Sequence, residues 1–171
     1  MQKHCHAENG MTYSIWLAPT TKDAKYLNQI IKNLATQYGA PKFDAHLTLY
    51  SNVRSLSQAK QVLNENKFDV IRTKVIGIGK SDYLWKTVFL QIKKDKSLSN
   101  INHTLAKNLK TKYSFEPHIS LIYKKMKPRA KTNLIKNLKM KKSYTFDRII
   151  IIRSSKNVKQ WKKLYSIRLN S

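Results

Sequence analysis

Acidic side chains are scarce in this sequence. Only 9 of the 171 residues are Asp or Glu, whereas 34 are Lys or Arg, and the formal net charge is +25. Mechanisms that need several converging carboxylates, such as those of two-carboxylate glycosidases and two-magnesium nucleases, are therefore disfavoured. The positive charge favours polyanionic partners, although a solvated lysine-rich surface would give the same composition.

Cysteine and long apolar runs are also scarce. The single cysteine, Cys5, excludes a disulfide framework and a cysteine-rich zinc site, and it is typical of a reducing compartment. No apolar run approaches the roughly 18 residues of a membrane span, and the N-terminus lacks the apolar core of a signal peptide. Because 41% of the residues are hydrophobic, a disordered polycation is excluded as well. We expect a folded, soluble, cytoplasmic monomer with no membrane partner.

The predicted secondary structure repeats itself along the chain. Residues 1–10 lack periodicity and are predicted to be a flexible tail, so His4, Cys5 and His6 are interpreted as tail residues rather than metal ligands. The first half of the remainder is predicted as strand 13–18, helix 20–38, strand 46–51, helix 57–66 and strand 68–80. The second half is predicted as strand 87–93, helix 98–113, strand 118–123, helix 128–138 and strands 144–154 and 161–169.

This repetition predicts an internal duplication of a strand-helix-strand-helix-strand unit. We expect an α+β fold with two pseudo-symmetric lobes, in which two antiparallel sheets face a central cleft and the helices lie outside. Residues 11–171 would form a single two-lobed domain whose halves span about 11–82 and 83–171, with strand exchange between them allowed. A cleft between two lobes is a preferred position for a binding site.

The two halves share a seven-residue motif. Residues 43–49 read Phe-Asp-Ala-His-Leu-Thr-Leu, and residues 115–121 read Phe-Glu-Pro-His-Ile-Ser-Leu. One histidine on a strand is usually structural, but matched polar residues in both halves are hard to explain by packing alone. By contrast, His103 lacks this pattern and is expected to be a structural or surface residue.

Strand geometry predicts that the polar side chains of this motif lie together and form a candidate active site. Side chains at positions i and i+2 point to the same face, so His46 projects with Thr48, and His118 projects with Ser120. If the two strands are adjacent in the cleft, two imidazoles and two hydroxyls converge. Imidazole titrates near neutral pH, so one ring can act as a base and the other as an acid, and the hydroxyls suit the oxygens of a phosphate.

These paired motifs resemble the two-histidine phosphoesterase superfamily. Within it, the segments YSIWLAP at 13–19, HLTLYS at 46–51 and HISLIY at 118–123 resemble the cyclic phosphodiesterase branch. The likeness extends from residue 11 to the late segment VKQWKKLYSIRL at 158–169. The chain lacks the His-x-Thr-Leu-x-Phe-Leu-Gly form typical of RNA 2′,5′-ligases.

The resemblance implies metal-independent hydrolysis of a cyclic phosphate. The substrate would be a 2′,3′-cyclic phosphate on a nucleotide or RNA end, or ADP-ribose 1″,2″-cyclic phosphate, and the product the 2′-phosphate or the 1″-phosphate. The resemblance assigns His118 as the base and His46 as the acid, with Thr48 and Ser120 holding the phosphoryl oxygens. No metal ion or other cofactor is expected.

The resemblance also implies that Trp16 and Tyr123 line the pocket. Tyr123 has the opposite strand parity to His118, so it can reach the site only if the strand bends or ends there. For Trp16 the alternative interpretation is an ordinary core aromatic residue.

Two other classes of function stay open at this point. An enzyme with the same fold could act on a 2′,5′ linkage or on the 3′-terminal nucleotide of an RNA. The chain could instead be a non-catalytic RNA-binding protein that uses the cations of segments 124–142 and 156–163. The predicted RNA contacts are Lys124, Lys125, Lys127, Arg129 and Lys131.

Overall fold

The structure, a computed structural model, describes residues 11–171 and contains four α-helices in that range. They are α1 (Thr21–Tyr38), α2 (Leu56–Glu65), α3 (Lys96–Leu109) and α4 (Pro128–Lys136). None of these helices combines the length and the apolar composition that crossing a bilayer requires. The predicted tail, with His4, Cys5 and His6, lies outside the described residues.

Local sequence signals set the ends of the helices. Thr20 caps α1 by accepting a hydrogen bond from the backbone N–H of Asp23, and Gly39 ends the helix with a φ of 62°. Helix α3 ends earlier than predicted, because Lys110 adopts the left-handed conformation with a φ of 53°. Tyr113, predicted as helical, therefore lies in the following loop.

Seven strands form one antiparallel sheet. They are β1 (Tyr13–Pro19), β2 (Leu47–Val53), β3 (Ile71–Lys80), β4 (Val88–Ile92), β5 (His118–Ile122), β6 (Ser143–Arg153) and β7 (Lys162–Arg168). Their order is β1-β2-β5-β4-β3-β6-β7, and β1 also pairs with β6. Six strands thus close into a barrel-like sheet, which confirms the α+β class. The expected pair of separate sheets is wrong, since strand pairing continues around the whole ring.

Strands from the two halves of the sequence pair with one another at four places in this ring: β2 with β5, β4 with β3, β3 with β6, and β6 with β1. β3 pairs with β4 along residues 75–80, and β6 pairs with β1 along the full length of β1. These pairings give the inner edges of each half a partner in the other half, so the edges are not left open. The division into lobes at residues 82 and 83 stays a prediction.

The hydrophobic core takes up one face of the motif strands. Leu47, Leu49, Ile119 and Leu121 have no exposed surface, and helices α3 and α1 pack against β2 and β5 respectively. Because side chains alternate along a strand, the histidines and hydroxyl residues between these aliphatic positions face away from the core.

Gly79 of β3 has a close neighbour in β4. It pairs with Phe89, whose ring lies where a Cβ at position 79 would have to be. The ring of Phe89 also contacts the imidazole of His118 edge-on, with 5.6 Å between centroids. The missing side chain of Gly79 therefore allows the packing beside one motif histidine.

We expect Gly79→Ala to lower the free energy of unfolding by about 1–3 kcal/mol, because the Phe89 ring must move to make room. Urea unfolding of both proteins measures this difference. Gly77→Ala is the matched control, since its added methyl group would meet only the flexible end of Gln91. Equal stability of the two variants would contradict this account of the Gly79 contact.

Candidate active site

The two motif strands are paired at a single position. Leu47 of β2 lies opposite Ile119 of β5, which is the only residue pair joining these strands in the described chain. Continuing that antiparallel register by one residue in each direction sets His46 across from Ser120 and Thr48 across from His118. The sheet thus brings the two halves of the repeated motif together on the face opposite the core.

A cavity of about 540 Å³ lies over this meeting point. Its lining includes all six residues that the sequence analysis selected: Trp16, His46, Thr48, His118, Ser120 and Tyr123. Among residues 11–171, no acidic side chain lines it, and two lysines, Lys86 and Lys156, do. The cavity therefore suits an anion and lacks the paired carboxylates of a glycosidase-type site.

Each motif histidine is held by the backbone two residues before it. Nδ1 of His46 lies 2.7 Å from the carbonyl oxygen of Asp44, and Nδ1 of His118 lies 2.7 Å from that of Glu116. A carbonyl oxygen can only accept, so each Nδ1 carries a proton and donates it. Nε2 is consequently the nitrogen available for proton transfer in both rings.

Burial keeps these imidazoles neutral in the free protein. It lowers the pKa of His46 to about 4, against the opposing effect of the Asp44 hydrogen bond, and positive charge on His118 lowers that pKa further. Burial also lowers the pKa of His118, and the positive charge of Lys86 lowers it further, whereas the hydrogen bond to the Glu116 backbone raises it. A bound anion would favour the protonated forms and so raise both pKa values.

Aromatic rings fix the orientation of His46. The indole of Trp16 stacks on its imidazole, with 3.5 Å between centroids and 10° between planes. Trp16 is only 6% exposed, and Trp161 meets it edge-on at 5.2 Å. Trp16 is thus a buried aromatic residue as well as part of the cavity wall, so the two interpretations of this residue are compatible.

Tyr123 reaches the cavity because its strand ends. β5 stops at Ile122, which meets the condition set by strand parity. The Tyr123 hydroxyl lies 3.5 Å from Nε2 of His46. Burial raises the pKa of Tyr123, so its hydroxyl stays protonated and can donate to this nitrogen.

The two hydroxyls of the motif differ in their hydrogen bonding. Ser120 Oγ donates to the backbone carbonyl of Trp85 at 2.8 Å, whereas the Thr48 hydroxyl has no hydrogen-bond partner within residues 11–171. A phosphate oxygen would therefore have to compete with the Trp85 carbonyl for the Ser120 proton.

One of the predicted RNA contacts is wrong. Lys131 is only 3% exposed, and its Nζ lies 2.5 Å from Asp82 Oδ1 and 2.9 Å from the backbone carbonyl oxygen of Ser81. These bonds hold the loop that carries Trp85 and Lys86, and they leave no ammonium group free for a phosphate. Of the other predicted contacts, Lys124, Lys125, Lys127 and Arg129 are exposed but line neither this cavity nor the second cavity described below.

Several lining residues were not found by sequence reasoning. Trp85 and Lys86 come from the short helix between β3 and β4, and Trp161 comes from the segment before β7. The only available signal was the position of Trp161 in the segment VKQWKKLYSIRL. His103, outside the motif, is exposed on α3, as the sequence suggested.

Within the range 11–171, no three His, Cys, Asp or Glu side chains come close enough together to hold a metal ion.

Two imidazoles held by backbone carbonyls on a closed antiparallel sheet are thus the central feature of the candidate site. The model of the family described as "Cyclic phosphodiesterase-like protein" matches residues 11–169, and the chain belongs to this family. Membership supports phosphoesterase activity and confirms the resemblance seen in the sequence.

Solved structures share this fold. E. coli LigT complexed with ATP is similar with a TM-score of 0.63 and 14% identity, covering 94% of this chain and 98% of that one. LigT complexed with 3′-AMP has a TM-score of 0.63 and 12% identity, with coverage of 94% and 99%. TT0787 of Thermus thermophilus has a TM-score of 0.64 and 13% identity, with coverage of 93% and 98%. No curated protein matches the chain.

The lowered pKa of His46 predicts a pH-dependent stability. An unfolded histidine binds a proton near its ordinary pKa of 6.5, while the folded state resists protonation down to about 4. The stability that depends on neutral His46 is thus complete above the unfolded pKa and is lost as pH falls through this window, by about 3 kcal/mol.

Urea unfolding of wild type and of His46→Gln across this pH range measures the effect, and contributions of carboxylates common to both proteins cancel. A difference between the two proteins that stays constant with pH would contradict the burial of a neutral imidazole.

Proposed function

We propose that this protein hydrolyses cyclic phosphates to phosphomonoesters by a paired-histidine acid–base mechanism without a metal ion. The substrates would be 2′,3′-cyclic nucleotides or RNA ends, or ADP-ribose 1″,2″-cyclic phosphate. The observation that carries the proposal is the pair of imidazoles, each with Nδ1 bound to a carbonyl, bordering one cavity that no described acidic residue lines. The LigT complexes with ATP and 3′-AMP support a nucleotide as the kind of ligand.

In the proposed reaction, the base takes a proton from water at Nε2 while the water oxygen bonds to phosphorus. The bond between phosphorus and the leaving ribose oxygen breaks, and the acid donates its Nε2 proton to that oxygen. The base ends protonated and the acid neutral, and exchange with solvent restores both. With a 2′,3′-cyclic substrate the 3′ oxygen leaves, so the 2′-phosphate is the product.

We assign His118 as the base and His46 as the acid. The acid must hold a proton on Nε2 before the reaction, although burial disfavours the protonated form of His46 in the free protein. The negative phosphodiester supplies the missing stabilisation, because an anion in contact with imidazolium favours the charged ring. Substrate binding and protonation of the acid are thereby coupled.

The phosphoryl oxygens would be held by neutral donors and by lysine charge. The free hydroxyl of Thr48 can donate directly, and Ser120 can donate once its proton leaves the Trp85 carbonyl. Lys86 lines the cavity but is bound to Glu116 at 2.7 Å, so Lys156 is the exposed cation of the lining. Donors aimed at developing negative charge stabilise the transition state.

We expect His46→Ala and His118→Ala each to lower kcat/KM for a 2′,3′-cyclic mononucleotide by about 10²–10⁴-fold, which is what general acid–base catalysis supplies. Phosphorus NMR measures turnover and identifies the monoester. His103→Ala is the matched control, and a chelator should leave the wild-type rate unchanged. Retention of most activity by either motif variant would remove the proposed mechanism.

The two histidine variants also distinguish the proposed reaction from the two alternative functions. Turnover of a 2′,5′-linked dinucleotide in place of the cyclic phosphate would identify the alternative enzyme. RNA binding that survives the loss of both histidines, without turnover of either substrate, would identify a non-catalytic binding protein.

A substrate with a leaving group that needs no proton assigns the roles. We expect His46→Ala to retain activity toward bis(4-nitrophenyl) phosphate, because nitrophenolate leaves without an acid, while His118→Ala loses about 10²-fold or more. Release of nitrophenolate is measured by absorbance and compared with each variant's rate on the cyclic nucleotide. The opposite pattern would exchange the two roles.

A further inference from the structure

A second cavity of about 650 Å³ adjoins the candidate active site. Three residues, Trp16, His46 and Trp161, line both cavities. The second cavity extends from these shared residues between α1, the loop before β2, and strands β6 and β7. A ligand whose phosphate lies at His46 can therefore continue past the Trp16–Trp161 pair without leaving the protein surface.

Positive charge dominates this second cavity. Its lining contains four cations, Lys32, Lys42, Arg148 and Lys163, against one carboxylate, that of Asp44. Arg148 already donates to Asp147 and to the carbonyl oxygen of Pro19.

The three lysines, in contrast, are available. Lys32, Lys42 and Lys163 are exposed, and none forms an ion pair with another described residue. Three free ammonium groups around one concave surface suit a phosphate group.

The remaining lining suits a nucleoside. Phe43, Ile150, Ile152 and the indole of Trp161 supply an apolar wall, and aromatic faces stack on bases without regard to sequence. A mononucleotide in the first cavity would leave this combination of lysines and aromatic surface unused. The chemistry of the second cavity is thus that of a phosphate followed by a nucleoside.

We propose that the second cavity binds the phosphate and nucleoside attached to the 5′ carbon of the reacting ribose. The inference rests on the proposed function, because it takes the cyclic phosphate to be bound at His46 and His118. Two substrates have this chemistry: an RNA end, with a phosphodiester at that position, and ADP-ribose 1″,2″-cyclic phosphate, with a pyrophosphate. Lys32, Lys42 and Lys163 would be the phosphate contacts of this second cavity.

The chain offers a control with equal charge. Lys163 lines the cavity, whereas its neighbour Lys162 on β7 does not; on α1, Lys32 lines it and Lys22 does not. All four are exposed. The double variants K32Q/K163Q and K22Q/K162Q each remove one positive charge from α1 and one from β7. Both variants therefore weaken the long-range electrostatic field by a similar amount.

Steady-state kinetics on three substrates test the proposal: a cyclic mononucleotide, a dinucleotide ending in a 2′,3′-cyclic phosphate, and ADP-ribose 1″,2″-cyclic phosphate. We expect K32Q/K163Q to raise KM for one or both of the extended substrates on the order of ten-fold while leaving the mononucleotide within about two-fold. The extended substrate that responds identifies the source of the phosphate. An equal shift for all three substrates, or the same loss in K22Q/K162Q, would overturn the subsite.

A binding measurement separates failure of the subsite from failure of the proposed reaction. Tryptophan fluorescence is titrated with a dinucleotide ending in a 2′-phosphate, with ADP-ribose 1″-phosphate and with a mononucleotide 2′-phosphate, none of which requires turnover. Tighter binding of an extended ligand, lost in K32Q/K163Q and kept in K22Q/K162Q, would support the subsite even in a protein that cleaves no cyclic phosphate. Equal affinity for all three ligands in wild type would overturn it.

Discussion

The packing of Leu47 and Ile119 into the core is the constraint on which the candidate site depends. These two side chains meet at the only pairing of β2 with β5 in the described chain, and both are fully buried. A slip of either strand by one residue would turn the aliphatic side chains out and a histidine in, at a large cost in buried apolar surface. The stability of the core thus secures the position of both imidazoles.

Electrostatics in this protein acts on two scales. The net charge of +25 gives a long-range field that attracts polyanions, but it does not say which lysines touch them. Lys131, in the basic segment 124–142, is buried against Asp82 and holds a loop of the candidate site. In the candidate site, burial keeps both imidazoles neutral in the free protein, and Lys86 and Lys156 are the cations of the lining.

Much of the site could be predicted because its pattern is local. The i, i+2 spacing places His46 with Thr48 and His118 with Ser120 on one face, whatever the strand order. Tyr123 shows the limit of such reasoning, since parity alone set a condition that only the observed end of β5 could meet. The hydrogen bond from Ser120 to the Trp85 carbonyl could not be predicted from the sequence, because the two residues are 35 positions apart and only the fold brings them together.

The sequence by itself determined the order of the main strands and helices and the face that each motif residue occupies, since these depend on neighbours within a few positions. The tertiary structure alone decided that the strands close into one sheet rather than two, and that Trp16 meets Trp161 beside His46. It also decided which lysines remain free. Strand order and burial arise from contacts between distant parts of the chain, and composition and spacing do not encode those contacts one residue at a time.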